Sequence, residues 1–412
     1  MLTVQEALAR CETAVTPMGW ERVSLDLAQG RVLAQDICSP LDIPPWDNSA
    51  MDGFAVVAGD TAAVPVRLRI VETIGAGQVP SQTISPGTCA RIMTGAPMPP
   101  GADAVVMVEQ TDGGPGDHVE IRAHATAHQN VRDRGNDVAS GTRILAAGTT
   151  LGPAEVGMLS ALGLPSAQVS QRPVVAVLST GDEIVEAGWP LGAGQIHSSN
   201  THCLIGLVRE AGGVPLHCGI APDDPQGLRQ ALSRCLRADL VVTTGGVSMG
   251  DFDYVKDAFE DQGATLDFWK VRMKPGKPLA FGAIGGRPVF GLPGNPVSCM
   301  VNFLQFVRPV VRKMLGDPRP YLPVLPARLT APLRKRPGRA LLARVSLHWQ
   351  GEHLMATPTA TQSSGALSSM VLGDGLTLLP TQSSGAQEGD SVRVQILRWG
   401  WSHGVDPGYG AL

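Results

Sequence analysis

Continuous apolar runs alternate with amphipathic stretches in the middle of the chain, from Arg172 to about Gly316. The runs RPVVAVLSTG, VPLHCGIA and ADLVVTT predict three strands. Between them, THCLIGLVREAGG and the segment that starts at Leu228 place apolar residues at i, i+3, i+4 and i+7, which predicts two helices. Strands that are apolar on both faces and alternate with helices are typical of a parallel sheet covered by helices. We therefore predict an α/β domain over residues 172–316.

The flanking segments have different patterns. Residues 41–140 contain short alternating runs such as VRLRIVETI, broken by turn sequences such as SPGT, and this predicts a β insert domain. Residues 1–40 and 141–171 have helical patterns and are predicted to form one mainly helical N-terminal domain around that insert. The sequence GDPRPYLP predicts a linker, and residues 323–399 predict a C-terminal β domain. The expected fold class is a multidomain α/β plus β protein.

Composition and charge exclude several classes of protein. The chain has 412 residues, of which 43% are apolar, and a net charge of −4, so a global basic surface for nucleic acid is not expected. The seven cysteines are scattered without a C-x-x-C pair, which predicts a reducing cytoplasm and neither a disulfide framework nor a zinc site. No apolar stretch approaches the roughly 18 residues of a membrane span, and the N-terminus predicts an amphipathic helix, not a signal peptide.

Small and acidic residues follow all three predicted strands of the α/β domain. Since the carboxyl ends of parallel strands meet at one edge of a sheet, we expect these residues to form one site. Glycines let the backbone approach a phosphate, and carboxylates are ligands that Mg²⁺ prefers. Each group taken alone also fits a turn or a helix cap. The candidates are Thr180, Gly181, Asp182 and Glu183 after the first strand, Asp223 and Asp224 after the second, and Gly245, Gly246, Ser248, Gly250, Asp251 and Asp253 after the third.

Two further motifs could bind anions. In KPGKPLAFG, Lys274 and Lys277 flank Pro275-Gly276, and a turn there would direct both ammonium groups into one space. GLPGNPVS contains Pro293 and predicts a helix capped by Asn295, with Pro296 at its first position and Ser298 in its first turn, where free N–H groups favour an anion. The alternatives are a solvated turn and an ordinary capped helix. In the β insert, Asp52 and Thr94 lie in Gly/Pro-rich segments that also fit plain turns.

The motifs together resemble a known family. In order, they are DNSAMDGFAV, RIMTGAPMPPGADAVV, RGNDV, STGDEI, TTGGVSMGDFDYVKD, KPGKPLAFG and GLPGNPVS. They are similar to the MoeA family of molybdopterin molybdenumtransferases, which is related to the C-terminal region of gephyrin. The resemblance implies a three-layer α/β domain with a mostly parallel sheet like that of MogA and MoaB, a β-barrel-like C-terminal domain, and a homodimer.

The resemblance also implies a reaction and a site. Molybdate would enter the dithiolene of adenylylated molybdopterin, with Mg²⁺-dependent cleavage of the pyrophosphate bond and release of AMP and molybdenum cofactor. Further partners would be the molybdopterin adenylyltransferase and apo-molybdoenzymes or their chaperones. The residues carried over by motif are Glu183, Asp224, Asp251 and Asp253 around Mg²⁺, Lys274, Lys277, Ser298, Arg344 and Ser364 around molybdate or phosphate, and Asp52, Thr94 and Asp137 in the β insert, which would face the α/β domain of the partner subunit.

One departure and two alternatives follow from the same comparison of motifs. The chain reads IHSSN where the family often has an acid before the Asn, so Ser198 removes an acidic ligand there. A molybdopterin adenylyltransferase would share the α/β chemistry but would need only that domain. A gephyrin-like scaffold would normally carry a second enzymatic domain and a long disordered linker. Without the resemblance, the residues alone predict a Mg²⁺-dependent enzyme that acts on a phosphate anhydride.

Overall fold

The computed structural model describes residues 1–246 and 254–402. The chain separates into two compact units, and each is described by itself. Unit 1 comprises Met1–Ala34, Gly148–Gly152 and the chain from Ala167 onward, and unit 2 comprises Gln35–Ala147 and Pro153–Ser166. No described helix combines the length and apolar character that a membrane crossing requires. The domain boundaries given above stay predictions.

The strands are numbered in chain order. The first eleven are β1 Trp20–Ser24, β2 Ile37–Cys38, β3 Asn48–Ser49, β4 Gly53–Val56, β5 Val66–Ile74, β6 Thr88–Ile92, β7 Ala104–Met107, β8 His118–Ile121, β9 Val131–Arg132, β10 Arg143–Leu145 and β11 Ser166–Ser170. The next nine are β12 Val174–Thr180, β13 Ile184–Val185, β14 Ile196–His197, β15 Val214–Ala221, β16 Leu240–Thr244, β17 Thr265–Lys270, β18 Met273–Lys274, β19 Pro278–Ile284 and β20 Arg287–Leu292. The last are β21 Val324–Leu329, β22 Leu333–Arg334, β23 Ala340–Gln350, β24 His353–Pro358, β25 Gly375–Leu379, β26 Gly385–Ala386 and β27 Ser391–Ile396.

The helices are numbered in the same way. They are α1 Val4–Thr13, α2 Pro153–Ala161, α3 Asn200–Glu210, α4 Pro225–Cys235, α5 Tyr254–Asp261, α6 Pro296–Asn302, α7 Arg308–Met314 and α8 Ser368–Val371. A π-helical segment, Phe303–Val307, joins α6 to α7, and short 3-10 segments cover Leu25–Leu27, Ala58–Thr61, Val108–Gln110 and Gly400–Ser402. The predicted N-terminal helix is present as α1, which begins with a capping box between Thr3 and Glu6.

The central sheet of unit 1 has the strand order β15-β12-β16-β20-β19-β17. The first four strands are parallel to one another. Strand β19 pairs antiparallel with β20, and β17 pairs antiparallel with β19. Successive side chains of β12 enter two cores: Val175 and Val177 pack with α3, whereas Ala176 and Leu178 pack with α4. The strands are therefore apolar on both faces, which explains the continuous runs in the sequence.

The C-terminal strands of unit 1 form a closed barrel. The order β23-β24-β21-β27-β25 returns to β23 through a pairing between β23 and β25. Alternate residues of β23, including Leu341, Ala343, Val345 and Leu347, fill the interior. Strand β18 pairs in parallel with the start of β23, with Met273 opposite Ala340 and Lys274 opposite Leu341. The prediction of a C-terminal β domain, and the barrel-like form that the resemblance implies for it, are confirmed.

Unit 2 is built on a five-stranded sheet of order β7-β4-β6-β5-β8. Strand β4 is buried along its whole length, with Phe54 and Val56 in one core and Ala55 in the other. At its start, Gly53 approaches the neighbouring strand so closely that a Cβ would overlap the carbonyl oxygen of Val106. This close approach fixes the backbone directly after Asp52.

We expect Gly53→Ala to destabilise unit 2 by about 2 to 4 kcal/mol, because the added methyl group must displace backbone and not a flexible side chain. Gly59→Ala is the matched control, since a Cβ at Gly59 would meet nothing within 4 Å. Thermal and urea unfolding of both variants check this. Equal stability of the two variants would contradict the assigned close approach.

Candidate functional site

A cleft of about 690 Å³ lies at the carboxyl ends of the central strands of unit 1. It is formed by the residues that follow β12, β16 and β20, together with the loop before α3 and the start of α6. The predicted site residues that line it are Thr180, Gly181, Glu183, Gly245, Gly246, Pro293, Asn295, Pro296 and Ser298. Residues from distant parts of the sequence therefore meet at one sheet edge, as expected for parallel strands.

Two glycines shape the floor of the cleft. Gly245 has φ +98°, and a Cβ there would lie 2.5 Å from the carbonyl oxygen of Thr180 on the neighbouring strand. Gly181 has φ +137°, and a Cβ there would meet the carboxylate of Glu183. Only glycine combines this backbone with this proximity. The Thr180 hydroxyl is buried without a hydrogen-bond partner in the described chain, so a donor or acceptor in the cleft could use it.

Carboxylates from two loops gather at one end of the cleft. The Asp182 carboxylate accepts a hydrogen bond of 3.1 Å from the backbone N–H of Asp223, and Glu183 and Asp223 both line the cleft. Partial burial raises the pKa of Asp223, and the charges of Asp182 and Glu183 raise it further. These three acids repel one another, so a cation bound here would be stabilised.

Asp224 has a different position from its neighbour. Its carboxylate accepts hydrogen bonds from the backbone N–H groups of Gln226 and Gly227, at 3.0 and 2.8 Å, and so caps α4. Asp224 does not line the cleft, whereas Asp223 does.

Within the described ranges, no three His, Cys, Asp or Glu side chains are arranged as a ready metal site. Ser248, Gly250, Asp251 and Asp253, which the sequence also assigns to this edge, lie outside the described residues.

The loop before α3 is bound to the sheet by hydroxyl and amide groups. The Ser198 hydroxyl contacts that of Thr201 at 2.7 Å, which in turn contacts that of Ser179 at 2.6 Å. Asn200 donates to the Thr244 hydroxyl at 2.9 Å and to the carbonyl oxygen of Gly294 at 2.8 Å. Ser198 is thus a structural hydroxyl that orders the cleft wall.

The start of α6 forms the opposite wall. Asn295 is at the N-cap position but makes no capping hydrogen bond through its side chain, Pro296 follows at the first helical position, and Ser298 is buried. The backbone N–H of Val297 donates to the carbonyl oxygen of Ser364 at 3.0 Å. The loop that contains Ser364 therefore rests on the helix start, and Gly365 lines the cleft.

The same loop covers Arg344, which lies on β23 and is 0% exposed. Its Nε donates to the Ser369 hydroxyl and one Nη to the carbonyl oxygen of Ser363, both at 3.1 Å. The other Nη is buried without a partner among the residues described. Burial lowers the pKa of Arg344 to about 10. The buried guanidinium of Arg344 is thus contacted by a hydroxyl group and a carbonyl group, and by no carboxylate of the described residues.

The two predicted lysines do not line the cleft. Lys274 and Lys277 are exposed on either side of the buried Pro275 and Gly276. Gly276 has φ +90°, and a Cβ there would lie 2.9 Å from the side-chain amide of Asn302. Lys274 instead lines a second cavity beside the barrel.

The predicted residues of unit 2 form one close contact. The Asp52 carboxylate accepts hydrogen bonds from the backbone N–H of Thr94 at 2.7 Å and from its hydroxyl at 2.8 Å, and these bonds lower the pKa of Asp52. Asp137 is exposed in a turn, and its backbone N–H donates to the carbonyl oxygen of Ile43 at 3.0 Å.

Three family models match the chain. Residues 2–163 match the MoeA N-terminal region (domain I and II), residues 176–313 match a probable molybdopterin binding domain, and residues 326–397 match the MoeA C-terminal region (domain IV). Molybdopterin molybdenumtransferase 2 of Mycobacterium tuberculosis is 43% identical over 87% of this chain and 90% of its own. The chain belongs to the MoeA family.

Other members of the MoeA family are similar over most of their length. The molybdopterin molybdenumtransferase of a Nostoc species is 39% identical over 92% of this chain and 88% of its own. A solved structure of the molybdopterin biosynthesis MoeA protein of Pyrococcus horikoshii has a TM-score of 0.83 at 30% identity, and it covers 96% of this chain and 100% of that chain. The resemblance inferred from the motifs is confirmed.

Asn200 is a cleft residue that the sequence did not assign to the site, and Asp223 is a strand-end candidate that is absent from the residues carried over by the resemblance. Both have a signal in the sequence. In PDDP, the acid directly before the proline is the expected helix cap, which leaves Asp223 free to face the cleft. Asn200 ends the IHSSN segment, two residues after Ser198.

We expect Asp223→Asn to change how stability depends on pH. Because the folded state raises the pKa of Asp223, its deprotonation costs stability as the pH rises from about 4 to 7, and the variant avoids this cost. The thermal midpoint of the variant should therefore rise relative to the unchanged chain by about 1 to 3 °C over that range, since a partly exposed acid is screened.

Calorimetry without divalent cations measures this difference. Asp224→Asn is the neighbouring control, because asparagine also caps helices. A difference in midpoint that stays constant with pH for Asp223→Asn would contradict the acidic cluster.

Proposed function

We propose that this chain is a molybdopterin molybdenumtransferase that inserts molybdate into the dithiolene of adenylylated molybdopterin. The pyrophosphate bond is cleaved in the same process, and AMP and molybdenum cofactor are released. The family membership and the names of the relatives support this proposal. The structural observation that carries it is the buried Arg344, which has one unpartnered Nη and lies under the loop whose Gly365 lines the cleft.

Arg344 suits a substrate oxyanion for electrostatic reasons. A buried guanidinium without a counter-charge is costly, and the lowered pKa expresses that cost. An anion with two negative charges, such as molybdate, would relieve the cost and accept a charge-assisted hydrogen bond from the free Nη. The contacts to Ser363 and Ser369 keep the guanidinium in one orientation. The chain therefore offers a preorganised seat for a dianion where the barrel and the α/β domain meet.

The cleft suits the nucleotide and the pyrophosphate. The glycine turns at Gly181 and Gly245 permit close approach of a phosphate, and the Thr180 hydroxyl has no partner in the described structure. Cleavage of a phosphate anhydride depends mainly on alignment and charge neutralisation, so a protein nucleophile is not needed. The role of Thr180, Gly181 and Gly245 is to bind the pyrophosphate and orient the bond that is cleaved.

The acidic end of the cleft is where we place a magnesium ion, although its three carboxylates are not arranged as a ready metal site within the described ranges. The carboxylates of Asp182, Glu183 and Asp223 offer hard oxygen donors, and the pKa of Asp223 is raised by burial first and by the two neighbouring charges second. When bound there, Mg²⁺ would neutralise charge on the pyrophosphate. Asp224 would support this end indirectly, by fixing the start of α4. We further infer a cytoplasmic homodimer that exchanges substrate and product with the molybdopterin adenylyltransferase and with apo-molybdoenzymes or their chaperones.

AMP release from adenylylated molybdopterin in the presence of molybdate tests the proposal. Arg344→Gln should raise the molybdate concentration needed for half-maximal release by something on the order of 10²-fold, and Arg344→Lys should retain part of the function because it keeps the charge but loses the planar fork. Arg393→Gln, at an exposed arginine of the same barrel, is the control. Chelation of divalent cations should stop AMP release.

Circular dichroism identifies variants that fold poorly, so loss of folding is distinguished from the results that contradict the proposal. No AMP release by the unchanged chain would reject the transferase function. Formation of adenylylated molybdopterin from molybdopterin and ATP would instead indicate the adenylyltransferase. Equal molybdate requirements of Arg344→Gln and Arg393→Gln would reject the assigned role of Arg344.

The proposed homodimer has its own test. If Asp52 and Thr94 serve the site of the partner subunit, a mixture of Glu183→Ala and Asp52→Asn subunits should recover up to about a quarter of the normal activity, because half of the dimers would be mixed and each would have one intact site. Native mass spectrometry confirms subunit exchange. Exchange without recovery would count against a shared site.

A further inference from the structure

A second cavity, of about 410 Å³, lies beside the barrel of unit 1 and is lined almost entirely by cations. We call it the basic cavity. It shares no lining residue with the cleft, and no carboxylate contributes to its described lining. Its charged residues are Lys274, Arg334, Lys335, Arg336 and Arg339, and Pro337 and Leu341 complete its wall.

Internal hydrogen bonds fix the loop that carries the arginines. The Lys335 ammonium donates to the carbonyl oxygens of Pro380, Thr381 and Ser383, at 2.9, 3.3 and 2.5 Å. All three of its protons are thus used inside the protein, and burial lowers its pKa. The backbone N–H of Gly338 also donates to Thr381, at 2.8 Å. Lys335 therefore positions the loop and is not available to a ligand.

Strand pairing fixes the remaining walls. Arg334 pairs with Gly385 between β22 and β26, where a Cβ on Gly385 would overlap the carbonyl oxygen of Leu333. Lys274 pairs with Leu341 between β18 and β23, and the backbone N–H of Ala340 donates to the carbonyl oxygen of Arg272 at 2.9 Å. The backbone at Arg334 and Lys274 is consequently ordered without a ligand.

The four free cations lack internal counter-charges. In residues 1–246 and 254–402, the side chains of Lys274, Arg334, Arg336 and Arg339 make no hydrogen bond or ion pair. Some exposed arginines elsewhere in unit 1 are paired, as Arg10 is with Asp267 and Arg229 with Asp261. Four like charges around one concave surface repel one another and raise the local potential for anions. The natural relief of this repulsion is an anion from solution.

We propose that the basic cavity binds a small oxyanion with two or more negative charges. Guanidinium groups recognise such oxygens with paired hydrogen bonds, and the volume is typical of a small-molecule site. The shared chemistry is that of pyrophosphate, inorganic phosphate and molybdate, or of the phosphate group of a larger molecule. The basic cavity is distinct from the cleft, because the two share no lining residue, although the family resemblance also implies contact of Lys274 with molybdate or phosphate.

Titration calorimetry with pyrophosphate at constant ionic strength, in a buffer without phosphate, tests the site. The double variant Arg336→Gln/Arg339→Gln should weaken one binding event tenfold or more, whereas Arg344→Gln should leave that event intact. Arg328→Gln/Arg393→Gln removes the same total charge from exposed positions of the same barrel and is the control. Each single variant, Arg336→Gln and Arg339→Gln, repeats the test if the double variant has a lowered thermal midpoint.

The outcomes separate the ligand sources and the competing explanations. Binding of inorganic phosphate or molybdate with the same sensitivity to Arg336→Gln and Arg339→Gln assigns the cavity to free oxyanions. Sensitivity to these variants with AMP, but with neither inorganic ion, assigns it to a phosphate on a larger molecule. Unchanged pyrophosphate affinity in the cavity variants, or equal loss in the control pair, would overturn the proposal. Failure of AMP release by the unchanged chain would reject the transferase function and leave this result standing.

Discussion

The burial of one guanidinium organises the part of unit 1 that the candidate site occupies. Arg344 extends from a barrel strand, and its hydrogen bonds to Ser363 and Ser369 fix the loop that follows β24. Through Ser364, that loop contacts the start of α6, and Gly365 closes the cleft. A buried charge tolerates few arrangements of its surroundings, because each lost dipole exposes it to a low-dielectric interior. The position of the cleft wall is therefore tied to the position of this side chain.

The cleft and the basic cavity use cations in different ways. Arg344 is buried, its Nε and one Nη donate to fixed partners, and its other Nη has no partner among the described residues, so its geometry is strict. The arginines of the basic cavity are exposed on an ordered loop, so they supply a positive electrostatic potential and hydrogen-bond donors that can adjust to a ligand. The net charge of −4 conceals both features, since local arrangement and not total charge decides where an anion binds.

The sequence predicts those features that depend on local pattern. The apolar runs predict β12, β15 and β16, and the glycines and acids after them predict the edge at which the cleft lies. It does not decide between neighbours such as Asp223 and Asp224, because the choice depends on which carboxylate reaches the free N–H groups of α4. Closure of the barrel and the separation of Lys274 from the cleft depend on the pairing of β23 with β25 and β18, which join residues far apart in sequence. The family resemblance supplied the reaction, and the structure supplies the surroundings of Arg344.

Closure of the barrel also bears on the order in which the chain folds. Strand β23 carries Arg344, but its partner β25 begins at Gly375, and β27, which joins β25 to β21, ends at Ile396. During synthesis from the N-terminus, the α/β sheet can form while the barrel still lacks its last strands. Until those strands emerge, the backbone of Arg344 lacks its partner Leu376 on β25. The region around the proposed molybdate seat is thus completed only after the chain has been made as far as Ile396.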